Sequence, residues 1–203
     1  MEKSDFMSSK MIAKVCSTFI FMVLMGCSES KYTSMVKKEL ASGVIHDSLF
    51  LGLRLGQTRK DFFEICWNLN REKMVTHSEI FPFVKYPLPK KTTSDPEKDM
   101  TMLFYGDFDE GKTIMTGMKL QFYYDAWAIW NKALQADQLL LAVKDSLEKW
   151  YPGNDFIRVP LEKDSTELFV KVDGNRRITI KPLDDNRMVK AKIDDLRYVL
   201  DKE

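Results

Sequence analysis

The chain has 203 residues, 44% of them hydrophobic and 30% charged, with a formal net charge of +1. These are globular values, enough to bury a real core as one ordinary domain or two small ones. Beyond residue 26 the balance is 28 basic against 28 acidic side chains, which excludes nucleic acid as a partner because phosphate binding needs a basic surplus.

Val15 to Cys27 reads V-C-S-T-F-I-F-M-V-L-M-G-C behind Lys10 and Lys14. The run is too short to span a bilayer and lacks the polar face of a soluble core helix. Basic flank, short apolar run and small Gly26 before Cys27 predict an export signal. Glu2 and Asp5 dilute the positive start, and Met11 offers a second one, M-I-A-K. Both starts stay open.

Leu24-Met25-Gly26-Cys27 resembles the lipobox of bacterial lipoproteins. The resemblance implies a diacylglycerol on the Cys27 sulfur, cleavage before it, and usually an acylated new amine. Residues 1–26 would then be a signal peptide, 27–47 a lipidated cysteine and tether, and 48–203 the body. Two or three acyl chains would make release from the membrane negligible and raise the local concentration of membrane partners. Ser28 stands where inner-membrane lipoproteins carry Asp, so family analogy favours the outer membrane, with the periplasmic or surface face open. Cys16 would leave with the signal. Only Cys66 then remains in the body, no internal disulfide can form, and Cys66 reads as a small core hydrophobe.

Downstream, Met35–Leu40 predicts a helical turn stopped by Gly43, and Ser48–Leu53 a short, largely buried strand. Thr58 and Asp61 form an imperfect capping box for a helix reaching about Asn70, with Phe62, Cys66 and Leu69 on one face and Phe63 and Trp67 beside them. Leu55-Gly56-Gln57-Thr58 before that helix resembles the G-M-T start of BamE/SmpA-type outer-membrane lipoproteins, with Gln57 in place of Met. Pro82, Pro87 and Pro89 predict edge or irregular structure around Val84–Leu88. Thr101–Tyr105 and Ile114–Tyr123 predict two strands, the second with Met118, Leu120 and Phe122 alternating with Lys119, Gln121 and Tyr123.

Asp137 is expected to cap a second helix striped by Leu140, Val143, Leu147 and Trp150 and stopped by Pro152-Gly153. Strands are predicted over 156–159, 168–172, 177–181 and 188–193, with turns at Asp173-Gly174 and Asp184-Asp185-Asn186 and a last helical turn after Ile193. Both stretches, 48–125 and 126–203, run as a capped helix and then antiparallel strands, with Thr101–Phe104 echoed by Thr166–Phe169. The expected fold is α+β, two helix-then-strand halves with helices on one face of a sheet. Such an arrangement resembles the β-lactamase-inhibitor-protein and BamE-like folds. One curved sheet around a helix, as in cystatin-like and NTF2-like domains, is the alternative.

Catalytic spacings are missing. His46 and His77 fit no zinc motif, and neither a nucleophile elbow nor a phosphate-cradling glycine loop is present. Asp107-Phe108-Asp109-Glu110-Gly111 departs from the EF-hand and reads as a hairpin turn. Cofactor, metal and catalytic residues are therefore not expected. The dense stretch Phe122–Asn131 offers Tyr123, Tyr124, Trp127 and Trp130 as partner-binding candidates, with a core plug as the alternative for its tryptophans. The expectation is a lipid-anchored, non-catalytic binding or assembly module of the cell envelope with an envelope protein as partner. A carrier of a small apolar ligand, or a carboxylate-dependent hydrolase, are the other readings.

Overall fold

The computed structural model describes residues 29–90, 96–111, 113–160, 167–182 and 186–199. The signal stretch, Cys27, Thr166, Asp184, Asp185 and Leu200 lie outside the described residues. Among those described, no helix is long and apolar enough to cross a membrane.

Among the described residues the α-helices are α1 (Lys31–Ala41), α2 (Arg59–Arg71), α3 (Ala136–Trp150) and the short α4 (Leu196–Val199). The strands are β1 (Thr76–His77), β2 (Val84–Pro87), β3 (Met100–Phe108), β4 (Met115–Tyr124), β5 (Ile157–Pro160), β6 (Glu167–Asp173), β7 (Arg176–Pro182) and β8 (Val189–Asp195). They form one antiparallel sheet in the order β1-β2-β3-β4-β8-β7-β6-β5. Each half is a helix followed by a four-strand meander, and the two last strands, β4 and β8, meet in the middle. The tandem arrangement is therefore built as expected. The echo is not its basis, because Thr101–Phe104 lies in the third strand of its half and Leu168-Phe169 in the second.

Local chemistry explains the helices. Thr58 Oγ1 accepts the Asp61 amide at 3.1 Å while Asp61 Oδ2 accepts the Thr58 amide at 3.2 Å, a complete box although Asp stands where Glu is preferred. At α3 the cap is Gln135, which makes no side-chain cap bond, and Asp137 sits in the first turn where its charge meets the positive end of the helix dipole. The first helix, α1, is longer than the turn expected.

Ser48–Leu53 is not a strand. Leu51 and Gly52 take φ of 55° and 76°, which reverses the chain, and only a single bridge joins Ser48 to Arg54. Leu49 and Leu53 are still buried, so the apolar run fills core as a turn.

Both main helices lie on one face of the sheet. Phe62 and Cys66 of α2 and Leu139, Val143 and Leu147 of α3 share a core with Met102, Phe104, Met118, Leu120, Phe122, Ile178 and Ile193. Phe104 is central, with the Phe50 ring 5.1 Å away edge-on and Phe62 at 6.5 Å. Burying each such side chain contributes about 1.5–3 kcal/mol. Phe63 and Trp67 instead face solvent, Trp67 at 72% exposure.

Candidate functional site: the uncovered face of the sheet

Alternation places the remaining side chains on the other face. Antiparallel register sets Lys119 opposite Lys192, Gln121 opposite Lys190, Thr179 opposite Lys192 and Lys181 opposite Lys190. Asp107 and Asp194 partly neutralise this surface. Lys119 lies 3.1 Å and Lys192 3.6 Å from Asp107, and Lys192 reaches Asp194 at 2.6 Å. Arg177 forks onto Asp194 Oδ2 through Nε at 3.3 Å and Nη2 at 3.0 Å. Lys181 and Lys190 make no ion pair among the described residues. They line a shallow hollow of about 240 Å³ with Leu168, Thr179 and Lys192. Like charges directly across a ladder are unfavourable; Asp107 bridges Lys119 and Lys192, which leaves Lys181/Lys190 as the pair placed against sheet stability.

The aromatic stretch divides over core and surface. Tyr124 is buried on the helix side, where desolvation raises its hydroxyl pKa. Tyr123 alternates onto the lysine face beside Gln121. The Arg187 guanidinium stands 5.7 Å from the Tyr123 ring and 5.4 Å from the Trp127 ring, within cation–π range. Trp127 packs against the core, and its Nε1 is buried without a hydrogen-bond partner.

Trp130 is 83% exposed and Ile129 beside it is also exposed. The loop presenting them is well tied. Gln135 Nε2 donates to Ala128 O at 2.9 Å and to Asn131 O at 2.7 Å, and Asn131 Oδ1 accepts the Ala133 amide at 3.1 Å. A groove of about 320 Å³ continues from Tyr123 along Leu103 and Lys85 to Thr76, His77 and Ile80.

The acidic stretch resolves into a turn and a sheet contact. Asp109 Oδ1 accepts the Thr113 and Ile114 amides at 2.6 and 3.0 Å, which is hairpin-turn chemistry, while Asp107 belongs to the lysine face. Among the described residues no cluster of three His, Cys, Asp or Glu could hold a metal ion. Cys66 is buried, and desolvation pushes its thiol pKa up to about 12, so it stays protonated and unreactive. His46 and His77 lie in separate clefts.

Of the four aromatic candidates, then, Tyr123 and Trp127 meet at Arg187, Trp130 stands in solvent, and Tyr124 is core. The lysines were missed by the sequence reading. Their signal was present in the alternation Val189-Lys190-Ala191-Lys192-Ile193, but pairing lysine against lysine requires the strand order. Comparison with protein-family models, characterised proteins and solved structures finds no match for this chain.

Proposed function

We propose that this is a lipid-anchored, non-catalytic binding module of the cell envelope, held through Cys27 at the outer membrane. Its uncovered sheet face takes the acidic surface of a protein partner. The observation that carries the reading is the like-charge register, lysine opposite lysine at Lys181/Lys190 with no ion pair to either among the described residues. An anionic partner would relieve that repulsion and gain electrostatic steering from it. Tyr123 at the end of this face, and the exposed Trp130 beyond it, supply the rigid aromatic contacts that dominate binding energy at interfaces. A lipid anchor makes a modest affinity sufficient, because partners on the same membrane meet at high local concentration.

The test is cross-linked co-purification from native membranes with the wild type and with Lys181→Glu/Lys190→Glu, each checked for folding by circular dichroism. A partner captured by the wild type, weakened by added salt and lost from the folded variant supports the reading. Capture unchanged by the charge reversal overturns it. So does a variant that loses only its adhesion to anionic vesicles, since the acidic surface would then be lipid.

A further inference from the structure

A second cleft lies on the helix side, between the end of α3 and the Ser48–Phe50 turn. We propose that it binds a small aromatic monocarboxylate, with Arg176 as the residue that grips the carboxylate.

The cleft is about 280 Å³ and is walled by His46, Ser48, Phe50, Trp150, Tyr151 and Arg176. Arg176 is only 5% exposed. Its guanidinium lies 4.5 Å from the centre of the Tyr151 ring. A guanidinium has five N–H donors, yet Arg176 makes a single long hydrogen bond, from Nη1 to Ser48 O at 3.5 Å. Its Nε is buried with no partner. Unsatisfied donors at that depth are costly, and the Arg176 Nε has no acceptor within reach.

The neighbouring carboxylates do not fill this need. Asp173 Oδ2 is ion-paired with both cations, 3.2 Å from the buried Lys171 ammonium and 3.7 Å from Arg176 Nη2, but it makes no hydrogen bond to either. Asp173 Oδ1 is taken by the Asn154 amide at 2.7 Å. Lys171 is fixed further by its bond to Asn154 O. Asp195, the cross-strand partner of Arg176, has both oxygens engaged by Arg197. Glu39 is held by the Gly174 amide and Asn154 Nδ2. Lys171 and Arg176 are matched in number by Asp173 and Glu39, so the cluster offers an unpaired Arg176 donor rather than a charge surplus, which suits a single carboxylate rather than a phosphate dianion.

The rest of the ligand follows from the walls. Phe50 and Trp150 stand 6.3 Å apart, tilted by 36°, and favour a flat apolar group. The volume falls just below the range of about 300–1,000 Å³ usual for drug-sized ligands, which points to a molecule of amino-acid size. This site is independent of the sheet-face reading.

The experiment is titration of phenylacetate into the ¹⁵N-labelled full chain, followed by amide and indole shifts, with phenylacetamide as the uncharged control. We expect saturable shifts at Ser48, Phe50 and the Trp150 indole, with a dissociation constant on the order of 1 mM or tighter. In Arg176→Gln the affinity should fall by about 10-fold or more, as expected for loss of a charge-assisted pair. Equal binding of the amide, unchanged affinity in a folded Arg176→Gln, or shifts confined to the Lys181/Lys190 face would overturn the proposal. Should Arg176→Gln not fold, the wild-type shifts decide alone, and no saturation at Ser48, Phe50 and Trp150 overturns it equally.

Discussion

The two faces of the sheet are made by the same strands and built to opposite rules. On the helix side, Met102, Phe104, Met118, Leu120, Phe122 and Ile193 are fully excluded from solvent. On the other side, the alternate residues of β4, β7 and β8 bring Lys119 to Lys192 and Lys181 to Lys190. The first face lowers the free energy of folding by burial. The second also buries Leu103, Val170 and Val172, but at Lys181/Lys190 it opposes folding slightly through repulsion that exposure and salt attenuate. Natural sequences depart from local stability rules mostly where a surface has something else to do.

Substitutions on the covered side should be the most damaging. Phe104→Ala leaves a cavity beneath Phe50 and Phe62 and should cost about 3–5 kcal/mol, read by denaturant unfolding. A buried-charge change follows. Asp173→Ala strands Lys171 and Arg176, both nearly excluded from water, and should cost roughly 3 kcal/mol or more in the same assay. A conservative loss of no more than a few tenths would mean that water reaches both cations and that the cluster is not a buried one.

Tyr151 supplies a smaller and pH-dependent effect. Its hydroxyl accepts the Phe50 amide at 3.3 Å, and burial pushes its pKa from 10.0 up to about 12. A folded-state value above the unfolded one means that the contribution is whole below pH 10 and is lost as pH rises towards about 12. Tyr151→Phe should therefore flatten the alkaline limb of the stability–pH curve, at a cost near neutrality of about 1 kcal/mol for the missing hydrogen bond. An alkaline limb of undiminished slope would assign that loss to other groups, such as Cys66.

Much of the covered side was legible in the sequence. Thr58 and Asp61 announce α2, the alternation from Met118 to Tyr123 announces β4, and Asp173-Gly174 announces the β6–β7 hairpin. Gly174 has φ of 53°, and a side chain there would collide with Val44 O. What was not legible depends on neighbours distant in sequence. Ser48–Leu53 has strand composition, but the backbone at Leu51 and Gly52 turns it back. In Val170-Lys171-Val172, a period of two suggests valines towards the helices and the lysine outward. The pairing of Lys171 with Ile178 and of Phe169 with Ile180 puts the lysine on the helix side instead, beside Asp173. Trp67 and Trp130 look like core residues by type, and only the packing leaves them outside. The aromatic segment of the candidate site is visible in the sequence and its lysines are not, because the charge pattern exists only once β4, β8 and β7 lie side by side.

The smallest effect bears on the central point, that the lysine face is kept at a cost to stability. Thermal unfolding of Lys190→Glu beside the wild type, at low and at high salt, measures that cost directly. We expect the variant to be the more stable at low salt by a few tenths of a kcal/mol, with the advantage fading as salt screens the repulsion. A variant less stable than the wild type at low salt would show that the lysines support the sheet, and the case for an acidic partner on this face would fall with it.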